Sequence, residues 1–149
     1  MSASLTLATP AQLARLLPLV SAFHAEAGIT LSDAQREAAL TPLLEGIPHG
    51  AAYLIGPERA AIGYVIVTFG WSVEFGGMDG FIDEIYIRPA VRGRGIATSV
   101  LVELPKALAE AGLKAMHLEV DTQDDAAQRL YSRCGFQRRD RYTLMSRRL

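Results

Sequence analysis

Apolar residues return at helical spacing early in the chain: Leu13, Leu16, Leu17, Val20 and Phe23 share one face of a 3.6-residue repeat. Thr9-Pro10 in front of them supplies an N-cap followed by proline at the first helical position; Pro18 places a kink within the run, and Gly28 stops it. The capping box Ser32-Asp33-Ala34-Gln35 opens a second predicted helix, with Ala39, Leu40, Leu43 and Leu44 as its inner face, Gly46 past its end and Pro42 limiting its length. Ahead of both, residues 4–8 alternate as a strand does. Two apolar runs, 51–55 and 61–69, are joined by Gly56-Pro57-Glu58-Arg59 and read as an antiparallel hairpin.

Residues 70–80 are rich in glycine and hold Trp71, Glu74 and Phe75, which predicts a loop or strand edge facing a ligand. A strand over 81–87 is then ended by Arg88-Pro89. After a glycine turn comes a helix with Ile96, Val100, Leu101, Leu104 and Leu108 inside and Gly112 closing it. A strand over 116–120, a helix capped by Asp124 and running through Arg133 to Gly135, and a last hairpin over 137–141 and 142–147 complete the chain. No repeat or linker interrupts the order, so one mixed α/β domain over residues 1–149 is expected.

Composition narrows the setting. The 149 residues have the size of one domain that folds without a staple, and the lone Cys134 rules out an internal disulfide framework. There is no secretory leader pattern and no apolar stretch near the roughly 20 residues of a membrane span, so a soluble, cytoplasmic protein is expected. A net charge of -1 provides no general attraction to nucleic acid or an anionic membrane, although Arg138, Arg139, Arg141, Arg147 and Arg148 make the C-terminal end locally basic. His24, His49 and His117 lack metal-ligand spacing, and no metal is expected.

Between the strand and the helix lies Arg92-Gly93-Arg94-Gly95-Ile96-Ala97-Thr98. A glycine turn feeding a helix is an anion site: the first-turn amides have no intrahelical partner, the dipole adds positive charge, and glycines let a phosphate approach. Taken alone the turn also fits a plain basic turn. A dinucleotide fingerprint is the next alternative, with Glu119 or Asp121 as its acid but Thr98 in place of the third glycine. A P-loop is excluded, because no Gly-Lys-Ser/Thr follows.

The stretch Phe81-Ile-Asp-Glu-Ile-Tyr-Ile-Arg-Pro-Ala-Val-Arg-Gly-Arg-Gly-Ile-Ala resembles the central motif of the GNAT acetyltransferase superfamily, a strand leading into Arg/Gln-x-x-Gly-x-Gly/Ala, with Arg92, Gly95 and Ala97 at its defining positions. A second block, Asp124-x-x-Ala127-x-x-Leu130-Tyr131-x-x-x-Gly135-Phe136, resembles that family's C-terminal motif, with aspartate where asparagine is usual. The resemblance implies an α/β fold with a mixed central sheet, two parallel strands splayed apart, and flanking helices. It implies acetyl-CoA as cosubstrate, with pyrophosphate on Arg92, Gly93, Arg94, Gly95, Ile96, Ala97 and Thr98, pantetheine along the main chain of Ile85 and Ile87, and a weaker role for Asp124. An aspartate cannot donate to the pantetheine arm as asparagine does.

The implied chemistry is transfer of acetyl to a primary amine of a small molecule or protein by direct attack. Tyr131 matches the tyrosine that protonates the leaving thiolate in such enzymes. Asp83 and Glu84 interrupt an apolar strand where a bare carboxylate is expensive, which nominates one of them as base; strand alternation sets them on opposite faces, and the sequence does not choose between them. Glu74 is a candidate for holding the acceptor, and His24 and Glu26 line its pocket by analogy. Cys134 reads as a packing residue. A non-catalytic acyl-CoA sensor is the alternative function, and a homodimer stays open.

Overall fold

The computed structural model describes residues 3–149, which divide into two compact units, one ending at Glu119 and one from Val120 to Leu149. In the first, strand β1 (Leu5–Leu7) leads through a short 3-10 turn into α1 (Leu13–Ala27), followed by α2 (Asp33–Leu44). Polar side chains mark where the 3-10 turn and α2 begin, at the positions the sequence predicts. Thr9 N–H donates to Gln12 Oε1 at 2.7 Å, and Ser32 and Gln35 exchange bonds of 2.8 and 3.1 Å, satisfying amides that the helices leave without a carbonyl. α1 continues through Pro18, and α2 ends shortly after Pro42.

β2 (Gly50–Ile55), β3 (Gly63–Ser72), β4 (Gly77–Ile87) and β5 (Ala115–Leu118) complete a sheet of order β1-β2-β3-β4-β5, antiparallel except for the β4–β5 pair. A parallel pair needs a long crossover, and α3 (Ile96–Glu110) is that connection. Leu16, Leu19 and Val20 of α1 and Leu40 and Leu44 of α2 pack with Ala52, Leu54, Tyr64, Ile66 and Tyr86 of the sheet. Each fully buried leucine contributes about 1.5–3 kcal/mol relative to exposure. Val65 and Val67 are buried as well, as are Ile96, Val100, Leu101 and Leu104 of α3. β3 is therefore apolar at consecutive positions, as a strand covered on both faces must be.

Three expectations are corrected. Residues 70–80, expected as a loop or strand edge, are mostly strand: β3 and β4 extend through them, leaving only 73–76 as the turn, with Gly70 opposite Asp79 and Gly80 opposite Phe69. A Cβ on Gly80 would lie 3.1 Å from Leu113 Cδ2 and 3.3 Å from Val67 Cγ1, so this glycine serves close packing. β5 stops at Leu118 instead of reaching residue 120.

In the second unit, α4 (Asp125–Arg133) is capped by Asp124, whose Oδ1 accepts from Ala127 N–H at 3.0 Å. The third correction falls here, because the last hairpin is absent: among the described residues no strand follows α4. Tyr142, Leu144 and Met145 are exposed there, so no buried face fixes a strand register.

Candidate active site

β4 and β5 pair from Asp79↔Ala115 to Ile82↔Leu118, and there the pairing ends while β4 runs on to Ile87. Arg88 N–H reaches Ile62 O at 2.8 Å, and the Tyr86 carbonyl lies against Gly63, so both point to β3. Alternation then turns the main-chain groups of Ile85 and Ile87 the other way, towards the side that β5 has left. This open edge is what an extended, amide-bearing ligand needs to add as a strand. At the fork the β3–β4 register slips: Val67 faces Ile82 and Ile66 faces Glu84, which makes Asp83 the extra residue of a bulge.

The glycine turn follows β4 after one short 3-10 turn, Pro89–Val91. Gly93 and Gly95 take φ of +76° and +79°, which L side chains rarely adopt, and a Cβ on either would meet nothing within 4 Å. Gly95 is the N-cap of α3 and carries no side-chain cap, so the first-turn amides of Ile96, Ala97 and Thr98 stay available to an anion. The open edge and bare turn fit the pantetheine and pyrophosphate of CoA in sequence along one path. Arg92 is turned back: its Nε donates to Ile87 O at 2.8 Å, its Nη2 to both Glu26 oxygens at 2.9 Å, and its guanidinium carbon lies 5.5 Å from the Tyr86 ring centroid. Arg94 is exposed.

The two strand acids have different surroundings. Glu84 Oε1 accepts from the Tyr64 hydroxyl at 2.8 Å, and its Oε2 is 2.8 Å from His24 Nε2. Burial first, then the charge of Glu84 and the bond to it, push the Tyr64 hydroxyl far up, so it remains a donor. Asp83 is exposed and makes no side-chain hydrogen bond among the described residues. Crowding by protein atoms, then the charges of Glu84 and Glu119, push its carboxyl above the ordinary aspartate range, with His24 pulling the other way. The bulge at Asp83 interrupts the strict alternation on which the opposite-face expectation for Asp83 and Glu84 rests.

Other predicted residues are more scattered. His24 is buried between Glu84 and Arg36, and Glu26 is at the surface on Arg92. Glu74 sits in the turn at the far end of the β3–β4 hairpin, about 20 Å along the strand from Asp83 at ~3.3 Å per residue, and so is not brought to it. In the second unit Tyr131 is half-buried, its hydroxyl pushed up by burial and then by the charge of Asp124; its ring meets Phe136 edge-on at 6.3 Å. Cys134 ends α4, and burial pushes its thiol up despite the opposing charge of Arg133. Sequence reasoning missed Arg36 and Tyr64, and weighed Glu119 only as the acid of a dinucleotide fingerprint. Tyr64 did leave a signal, since a buried phenol in an apolar strand demands a hydrogen-bond partner.

The acetyltransferase (GNAT) family model matches residues 19–136. Among solved structures, the integron cassette protein HFX_CASS3 from the mobile metagenome of Cole Harbour Salt Marsh is 29% identical, with 96% of this chain and 89% of that chain covered and a TM-score of 0.83. A putative acetyltransferase from Arthrobacter sp. FB24 is 27% identical, with 90% and 85% covered and a TM-score of 0.77. The aminoglycoside N-acetyltransferase AAC(6')-Iy, solved with the bisubstrate analogue CoA-S-monomethyl-acetylneamine, shares the fold at 16% identity, with 100% of both chains covered and a TM-score of 0.80. No curated protein matches the sequence. Fork, turn and family match agree: the chain belongs to the acetyltransferase (GNAT) family and is an acetyl-CoA-dependent N-acetyltransferase.

Proposed function

We propose that this enzyme acetylates a cationic primary amine, of a small molecule or a protein, with Asp83 as the base and Tyr131 as the acid. The observation that carries the reading is Asp83 on its bulge, where β4 and β5 part and the open edge of β4 begins. Bound acetyl-CoA supplies an acetyl thioester and a thiolate leaving group. The chain's own residues handle the protons. An ammonium nitrogen with pKa near 10 must lose one before it can attack, and the carboxylate of Asp83, made more basic by its surroundings, accepts it. The charges of Asp83, Glu84 and Glu119 favour the ammonium form on arrival.

Tyr131, held protonated, donates its phenolic proton to the departing sulfur. Attack is direct in this reading, because the lone cysteine, Cys134, has a thiol pushed away from the thiolate and so no activated nucleophile. The match across residues 19–136 supports the whole chain working as one acetyltransferase domain. A basic carboxylate at the fork favours this over a sensor, which has no use for one.

Release of CoA from acetyl-CoA over a panel of primary amines tests the reaction. Asp83→Asn and Tyr131→Phe should each lower kcat by about 10²–10⁴-fold, with the CoA dissociation constant nearly unchanged. Full turnover in either folded variant, with chemistry rate-limiting, removes that residue from its role. Tight CoA binding without turnover on any amine supports the sensor.

A further inference from the structure

Four elements contribute to one series of hydrogen bonds that the proton transfers above do not use. Asp33 Oδ1 accepts from Arg36 Nη1 at 2.9 Å on α2, and Arg36 Nε donates to His24 Nδ1 of α1 at 3.1 Å. His24 Nε2 meets Glu84 Oε2 of β4 at 2.8 Å, and Glu84 Oε1 takes the Tyr64 hydroxyl of β3 at 2.8 Å. The side chains of His24, Arg36 and Glu84 are only 6%, 10% and 15% exposed, so water does little to satisfy them.

The direction of each bond follows from the inventory of donors. A guanidinium Nε–H donates and never accepts, so His24 Nδ1 must be the acceptor and the ring hydrogen sits on Nε2. His24 therefore donates to Glu84, and Tyr64 donates to the other oxygen. Glu84 thus accepts at both oxygens, the arrangement that suits a carboxylate. The bulge seats that carboxylate next to Asp83 in the chain.

We propose that Arg36 and His24 are positioning residues for the acetyl transfer: they hold Glu84 as a fixed negative charge beside Asp83 and so set the pH range over which Asp83 works as a base. The inference rests on the reading of Asp83 as that base. Burial raises the Asp83 carboxyl most, followed by the charges of Glu84 on the same strand and Glu119 just past β5; a charge on His24 of α1 would oppose them. Glu84 is faced by His24 from α1, by Tyr64 from β3 and, through His24, by Arg36 from α2. Glu84→Gln deletes the charge and keeps the shape. Arg36→Met deletes the donor that fixes the His24 tautomer; His24 can then accept from a protonated Glu84 or carry a charge of its own. Both outcomes weaken the negative field at Asp83.

The test is the titration of the Asp83 carboxyl carbon by NMR in the CoA-free protein, together with the acid limb of the kcat/KM profile at saturating acetyl-CoA. Glu84→Gln and Arg36→Met should move both to lower pH, Arg36→Lys should return them towards the parent, and the double variant should shift little beyond Glu84→Gln alone. A titration that stays at the parent's position in folded Glu84→Gln or Arg36→Met overturns the proposal. Asp83→Asn separates the two readings. An acid limb that survives in it refutes Asp83 as base; one that vanishes, with no shift in the other variants, refutes only the positioning role.

Discussion

Asp83 and Glu84 show how much one residue's setting decides and how little of it a sequence displays. Both stood out as acids in an apolar strand, but the bulge that re-aims one and the donors that occupy the other come from β3, α1 and α2. Such partners are distant in sequence, and no periodicity reports them. The environment of Asp83 has a measurable stability consequence. The native state holds its proton more tightly than the unfolded chain, so stability is lost as pH rises through the native carboxyl's titration. Asp83→Asn should therefore melt higher than the parent at neutral pH, and the difference should fade below about pH 4, where aspartate is protonated in both states. Thermal melts at the two pH values check this. A variant less stable at neutral pH would mean that Asp83 makes favourable contacts as an anion.

Among elements, those with strong local punctuation were legible: the caps at Thr9 and Ser32, the amphipathic face of α3 and the end of β4 before Arg88-Pro89 fall where the sequence puts them. The misreadings have physical causes. Glycines at 70–80 left a loop and a strand edge equally open, whereas Gly80 sits within β4, close against Leu113 and Val67; and the 137–147 segment has strand-like residues but no face to bury. The turn itself is open to test, because two glycines of positive φ bracket α3. Gly95→Ala and Gly112→Ala both put a methyl group where no atom lies within 4 Å, at φ of +79° and +108°. Each should lose about 1–2 kcal/mol of stability from backbone strain alone. Only Gly95→Ala places the methyl group beside the amides of the α3 N-terminus, so only it should weaken CoA binding measured by calorimetry. Equal CoA affinities in the two variants would remove the turn from the cofactor site.

At the scale of the whole molecule, the fold was readable because its order of elements leaves little choice: β2, β3 and β4 are antiparallel neighbours joined by short connections, and one helical crossover then forces a parallel pair. Which amine the enzyme uses was not readable, since the side chains at the fork are gathered from separate strands and no motif reports their combined field. With a net charge of only -1, the molecule as a whole exerts no strong attraction on a cation. Any preference must be local, from Asp83, Glu84 and Glu119 at the fork. Such a preference is screened once the Debye length falls from ~10 Å at 0.1 M salt to ~3 Å at 1 M. For acceptors with two or more ammonium groups, kcat/KM should fall over that range while kcat at saturation changes little, and a monoamine of similar size should respond less. Steady-state kinetics with such a matched pair, at fixed pH and saturating acetyl-CoA, supplies the comparison. If the two amines respond to salt alike, the acidic fork does not select the acceptor, and the selecting contacts are uncharged.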